Sequence, residues 1–145
     1  LHVGATLIAF IGMVYLIDLA LKTLTGCTFP QIVGWLFYPF AVLMGVPTQD
    51  VPVLAQLLGK KTVLNEFLAY SDFKTLKDTL DPRTVTIATY ALCGFANPGS
   101  LGILLGAATG MMPERREEIV GLVLKSLIGG TIASFMTACV AGILV

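Results

Sequence analysis

Four long stretches of the sequence carry no charged residue. They cover residues 1–17, 23–49, 84–113 and 126–145, and all charged side chains fall in the segments between them. A helix of roughly 20 mostly apolar residues crosses the hydrocarbon layer of a bilayer, and a lipid-exposed charge inside it costs several kcal/mol. The charge-free stretches therefore predict membrane-embedded helices.

The composition supports the same interpretation. Hydrophobic residues make up 56% of the chain and charged residues 12%, against about 25% charged in an ordinary soluble domain. The formal charge is zero, so no basic surface attracts nucleic acid, and none is expected as a partner. Cys27, Cys93 and Cys139 stand far apart, which indicates neither a zinc site nor a disulfide framework. We predict an all-α membrane protein in a lipid bilayer.

Spanning helices are predicted at both ends of the chain, over residues 3–24 and 119–145. Asp18 and Lys22 lie four residues apart in the first helix and are expected to pair. Residues 31–45 are apolar, rich in aromatic rings and interrupted by proline. This stretch is either a helix at the membrane interface or a kinked spanning helix.

Residues 51–58 and 63–70 form two apolar stretches, each too short to span, on either side of Gly59, Lys60 and Lys61. Half-length pieces broken at a glycine-containing turn predict a re-entrant helical hairpin, which membranes tolerate where it is buried in protein or lines an aqueous cavity. Alternatively, the two lysines mark an aqueous loop between helices on the membrane surface.

Glu66 lies inside the second apolar stretch, where a solvated residue is not expected. An acid at membrane depth is costly and by default faces a binding site or a transport pathway. The alternative is an ordinary ion pair with Lys60, Lys61 or Lys74.

Residues 84–112 are long enough to span, but the run GFANPGS at 94–100 interrupts them. Pro98 removes a backbone donor and disfavours helical backbone before it, which predicts a discontinuous helix. Such breaks in transporters expose backbone groups that hold a substrate or an ion, and Asn97 and Ser100 can project the same way there. A simple proline kink, with these groups bonded to the local backbone, is the alternative.

Residues 59–70 (GKKTVLNEFLAY) and 91–97 (ALCGFAN) closely resemble the signature regions of the concentrative nucleoside transporter family. MGVP at 44–47 and PERR at 113–116 are similar to the bacterial members. The resemblance extends over essentially the whole chain and corresponds to the C-terminal portion of a family member. Residues 1–145 are thus expected to be the C-terminal transport region of a longer protein.

The resemblance implies a cation-coupled nucleoside symporter, usually sodium-driven in bacteria, that assembles as a homotrimer in the plasma (bacterial inner) membrane. In the family, the positions matched by Glu66, Asn97 and Ser100 contact the ribose, and the position matched by Phe95 packs near the base. The first re-entrant hairpin, which supplies a nucleobase site and the sodium ligands, has no counterpart in these residues. No other cofactor or metal site is implied, and the coupling cation, sodium or proton, is expected mainly outside this chain.

One departure from the family pattern is Pro98, which replaces the usual Phe and is expected to alter the unwound segment. The alternative function is a truncated membrane module that does not transport but packs with partner subunits. An intramembrane enzyme is not expected, because no Ser/Lys or Asp/Asp arrangement occurs at membrane depth.

Overall fold

The computed structural model describes residues 2–145, without the side chains at positions 2, 3, 6 and 7, and every regular element in that range is a helix. In chain order the elements are α1 (His2–Thr25), α2 (Phe29–Leu43), α3 (Val51–Val63), α4 (Glu66–Leu76), α5 (Pro82–Cys93), α6 (Pro98–Met111) and α7 (Arg116–Ile143), with 3-10 turns at Lys77–Thr79 and Pro113–Arg115.

Three helical stretches of the described chain are long and apolar enough to cross a membrane: Ile8–Thr25, Pro82–Met111 and Pro113–Ile143. This confirms the spanning helices predicted at both ends. Most side chains of α1 and α7 are exposed on this chain, as expected for helices whose apolar surface faces lipid or other protein.

Asp18 does not pair with Lys22. Its carboxylate instead accepts a hydrogen bond of 2.6 Å from the backbone N–H of Phe29, the first residue of α2. The first N–H groups of a helix have no partner within the helix, and the dipole there favours an anion. The carboxylate of Asp18 therefore binds the N-terminus of α2 and not Lys22, which lies one turn away in α1.

Helix α2 has 15 residues and is about 22 Å long at 1.5 Å per residue. That is shorter than the roughly 30 Å of a hydrocarbon core, which excludes the kinked spanning helix. Gly45 (φ +80°) and Pro47 then turn the chain into α3, which packs along α2.

The turn predicted at Gly59 is wrong, because Gly59 lies inside α3. Its role is close packing: a Cβ added there would overlap the carbonyl oxygen of Pro30 and lie 2.6 Å from the nitrogen of Gly34 on α2. The break between the two short helices comes at Leu64 and Asn65 instead. The aqueous loop is also wrong, because Lys61 belongs to α3 and is buried.

Gly59→Ala is expected to lower the thermal stability of the full-length protein by several degrees, since the added methyl meets backbone atoms that cannot rotate away. Gly106→Ala in α6 is the matched control, because nothing lies within 4 Å of its added Cβ and alanine favours a helix. Thermal unfolding in detergent measures both. Equal melting temperatures for the two variants would contradict the close packing of α2 on α3.

The hydrophobic core joins α2, α3, α4 and α5 with the last turns of α7. Ile87, Ala91 and Leu92 of α5 are fully buried in it. Phe135 of α7 meets Phe37 of α2 edge to face, with ring centroids 5.9 Å apart, a favoured aromatic geometry. The core thus holds α5 in place up to the point where its helix ends.

The predicted discontinuous helix is confirmed. Helix α5 ends at Cys93 and α6 begins at Pro98, with residues 94–97 between them in non-helical backbone. Gly94 is required here, because any Cβ would collide with the side chain of Ser134 on α7. In the described part of the chain, two residues separate α3 from α4 and four separate α5 from α6, and we call these two interruptions the helix breaks.

Candidate functional site

The first break places Glu66 at the start of α4. Asn65 has extended backbone (φ −165°, ψ 170°), and its side chain accepts a 2.9 Å hydrogen bond from the N–H of Leu68. Asparagine is a preferred cap because its side-chain oxygen satisfies one unpaired N–H of the first helical turn. The cap fixes where α4 begins and projects Glu66 from its first turn.

The second break is built in the same way. Asn97 has extended backbone and caps α6, with Oδ1 accepting a 2.8 Å hydrogen bond from the N–H of Ser100. The hydroxyl of Ser100 accepts in return from the N–H of Asn97 at 3.1 Å, which completes a capping box. Pro98 occupies the first helical position, where a missing N–H costs nothing. The departure at Pro98 is thus compatible with a well-formed helix start.

The two breaks meet through a hydrogen bond. Asn97 Nδ2 donates to Glu66 Oε2 at 2.8 Å, although the two residues are 31 positions apart in the chain. Asn97 is 1% exposed and Glu66 is half-buried. The structure therefore brings together two of the predicted site residues, with an amide donor beside a carboxylate.

The ion pairs offered as the alternative for Glu66 are not observed among the described residues. Lys60 pairs with Asp72 of α4, and Lys61 donates to a backbone carbonyl. Glu66 sits instead at the N-terminus of α4 and beside that of α6, where both helix dipoles stabilise a negative charge. A carboxylate is therefore tolerated there without a direct ion pair.

Ser100 is 3% exposed, and its hydroxyl lies 2.7 Å from the carbonyl oxygen of Asn97 and 3.1 Å from that of Phe95. One hydroxyl proton serves one of these acceptors at a time. Ser100 thus lies beside Asn97, as predicted. Its hydroxyl bonds to the local backbone, as the alternative of a simple proline kink predicted.

Phe95 lies in the non-helical segment, and the residue is 63% exposed. Since Ala96 and Asn97 beside it are buried, the backbone turns this ring out of the packed core. Phe95 is thus two residues from Asn97 and presents an apolar surface at the break between α5 and α6.

Sequence reasoning missed Lys61. Its side chain is 2% exposed, and Nζ donates a 2.9 Å hydrogen bond to the carbonyl oxygen of Ala91, in the last turn of α5. The signal is a lysine within an apolar run, which the turn predicted at Gly59, Lys60 and Lys61 obscures.

Two cavities lie elsewhere on the described part of the chain. One of about 430 Å³ sits between α1, α2, α3 and α4, and a smaller one of about 250 Å³ lies between Tyr90, Cys93 and α7. Neither is lined by Glu66 or Asn97. The pair therefore lies outside both of these cavities.

Comparison with known proteins identifies the family. A family model described as the C-terminus of sodium-dependent nucleoside transporters matches residues 1–142. The chain belongs to the concentrative nucleoside transporter family. This confirms the resemblance carried by the two signature motifs.

Relatives of this family come from mammals and bacteria. The chain is 42% identical to solute carrier family 28 member 3 of Rattus norvegicus (99% of this chain, 23% of the relative) and 40% identical to sodium/nucleoside cotransporter 1 of Mus musculus (99% and 25%). It is 39% identical to the uncharacterized transporter YutK of Bacillus subtilis (strain 168), over 100% of this chain and 37% of YutK. The chain thus spans less than two fifths of these relatives.

A solved structure of a CNTnw variant in an intermediate state matches the fold of this transporter-family chain. The TM-score is 0.91 at 38% sequence identity, over 99% of this chain and 38% of that one. The fold is therefore that of the family, all-α with apolar helices of membrane-spanning length. The chain is a multi-pass protein of the plasma membrane, and its relatives are transporters rather than enzymes.

Proposed function

We propose that this chain is the C-terminal part of a cation-coupled nucleoside symporter and supplies the half of the binding site that holds the ribose. The hydrogen bond between Glu66 and Asn97 carries the proposal. It joins two helix breaks of the kind that expose backbone and polar side chains to a substrate in transporters.

The chemistry of the pair suits a sugar. An ionised carboxylate is a pure acceptor with two oxygens, and hydrogen bonds to it are about twice as strong as neutral ones. Glu66 uses Oε2 for Asn97, which leaves Oε1 and further lone pairs for the donors of a vicinal diol. Asn97, held by its own cap, keeps the carboxylate oriented toward the face on which it stands.

Ser100 and Phe95 have supporting roles in this proposal. The hydroxyl of Ser100 completes the cap formed by Asn97. When substrate binds, this hydroxyl donates to a sugar hydroxyl in place of a backbone carbonyl. Phe95 offers its exposed ring to the base, since nucleobases stack on aromatic faces. The nucleobase specificity and the binding of the coupling cation, sodium by the family description, are assigned mainly to residues outside this chain.

A transport assay tests the proposal. The full-length protein that contains these residues, reconstituted in liposomes, is expected to accumulate radiolabelled uridine or adenosine under an inward sodium gradient. Ribose and the unlabelled nucleosides serve as competitors, and a proton gradient distinguishes the two coupling cations. Absence of uptake of either nucleoside under both gradients would favour the non-transporting membrane module.

Assembly is a further part of the proposal. The exposed apolar side chains of α1 and α7 supply surface for lipid and for other copies of the chain, and the assembly that we propose is the homotrimer implied by the family resemblance. Mass measurement of the full-length protein in detergent tests this, and a monomeric mass would contradict it.

A further inference from the structure

The helical hairpin formed by α3 and α4 places one charge at each side of the gap between α5 and α6. Lys61, in the last turn of α3, reaches the end of α5. Glu66, in the first turn of α4, reaches the start of α6 through Asn97. The cation thus meets the C-terminal end of one half-helix and the anion meets the N-terminal end of the other, which is the favourable sense for both helix dipoles.

Lys61 occupies a position that the helix break creates. In a continuous helix the carbonyl of Ala91 would accept from the N–H of residue 95, four positions on. Because α5 ends at Cys93, that carbonyl needs another donor, and Lys61 Nζ supplies one at 2.9 Å. The backbone around Gly94 leaves room for it, since a Cβ on Gly94 would stand 3.2 Å from Nζ.

The surroundings of Lys61 explain why its ammonium needs the carbonyl of Ala91 as a partner. A lysine that is 2% exposed in an apolar core is costly unless its ammonium is hydrogen-bonded. Besides Ala91, it faces the ring of Phe135 on α7, whose centroid is 6.0 Å from Nζ, at the outer limit of a cation–π contact. Lys60, its neighbour, points the other way and pairs with Asp72.

We infer that Lys61 is a positioning residue of the substrate site: its buried ammonium holds the end of α3 to the end of α5 and so sets the distance between the α3–α4 hairpin and the α5–α6 break. Holding α3 to α5 in this way keeps Glu66 in reach of Asn97. The inference deepens the proposed function and rests on it for the role of the substrate site, whereas the contact of Lys61 with the end of α5 is tested separately.

Substitutions of Lys61 in the full-length protein test the inference. Lys61→Met removes the charge and the donor while keeping the length of the side chain, Lys61→Gln keeps a donor without the charge, and Lys61→Arg keeps both. Lys60→Met is the matched control, because it removes the adjacent lysine without touching the break.

The first measurement is hydrogen exchange at residues 91–97 of the purified protein. Exchange there is expected to quicken at least fivefold in Lys61→Met, to a smaller extent in Lys61→Gln, and not in Lys60→Met. Lys61→Arg is expected to stay within about twofold of the wild type. Unchanged exchange in both Lys61→Met and Lys61→Gln would overturn the inference, and this measurement requires no transport activity.

The second measurement compares uptake of uridine with that of 2′-deoxyuridine and 3′-deoxyuridine. If Lys61 aligns Glu66 with the ribose, Lys61→Met lowers the preference for uridine over its deoxy analogues at least fivefold, and Lys61→Arg restores part of it. Equal loss of uptake for all three compounds indicates only a folding defect and would overturn the positioning role. A wild type that transports none of them refutes the proposed function, while the exchange data still decide on Lys61.

Discussion

Glu66→Gln is expected to raise the KM for nucleoside uptake by about 10- to 100-fold. Glutamine keeps the shape of the side chain and an oxygen for Asn97 Nδ2, so the contact between the two breaks survives. What is lost is the charge, and a hydrogen bond to a charged acceptor contributes about 1.5–3 kcal/mol, where 1.4 kcal/mol is a factor of ten. Initial rates of radiolabelled uridine uptake in proteoliposomes measure the change.

Glu117→Gln provides the control for this experiment. Glu117 is an exposed carboxylate in the first turn of α7, so its neutralisation is expected to leave the KM for uridine within about twofold. If Glu66→Gln behaved like Glu117→Gln, the carboxylate of Glu66 would have no part in holding the sugar.

Asn97→Ala is expected to weaken both uptake and stability, and more strongly than Asn65→Ala. Both asparagines cap a helix through one side-chain hydrogen bond to the third residue along, and losing such a cap costs about 1 kcal/mol. Only Asn97 also donates to Glu66, and leaving a charged acceptor unpaired adds about 1.5–3 kcal/mol. Both variants therefore lose a helix cap, and only Asn97→Ala also loses the hydrogen bond to Glu66.

Melting temperature and uridine KM measured on the two variants separate these effects. Asn65→Ala is expected to lower the melting temperature by a few degrees and, because its cap sets where α4 and Glu66 begin, to raise the KM, but less than Asn97→Ala does. Asn97→Ala should lower the melting temperature further and raise the KM at least tenfold. Matching values for both variants would show that Asn97 acts only as a helix cap.

Much of the fold follows from local properties of the sequence. The cost of a charge in hydrocarbon belongs to each residue separately, so the uncharged stretches predicted the helices of membrane-spanning length. The break after α5 was also predictable, because Pro98 constrains the backbone next to it whatever surrounds it. The position of the first break was not predictable, because Gly59 serves close packing against α2, where a Cβ would lie 2.6 Å from the nitrogen of Gly34.

The candidate site was predictable only as a set of residues. Glu66 and Asn97 each stood out as polar groups in apolar stretches, and the family motifs implied their roles. Neither the bond between them nor its geometry follows from the sequence, since no local spacing rule relates residues 31 positions apart. Lys61 was misassigned for the same reason, because its partner Ala91 lies 30 positions away.

The sequence by itself determined that this chain is membrane-embedded, that long apolar helices lie at both ends of it, and that one helix is interrupted within residues 94–100. These outcomes depend on hydrocarbon transfer energies and on backbone angles, which each short segment carries with it. Only the tertiary structure decided where the hairpin breaks and that Lys61 and Glu66 lie on either side of the α5–α6 gap. Those features depend on which helix ends pack together, because an unpaired backbone group or a buried charge takes its partner from whichever helix is close in space.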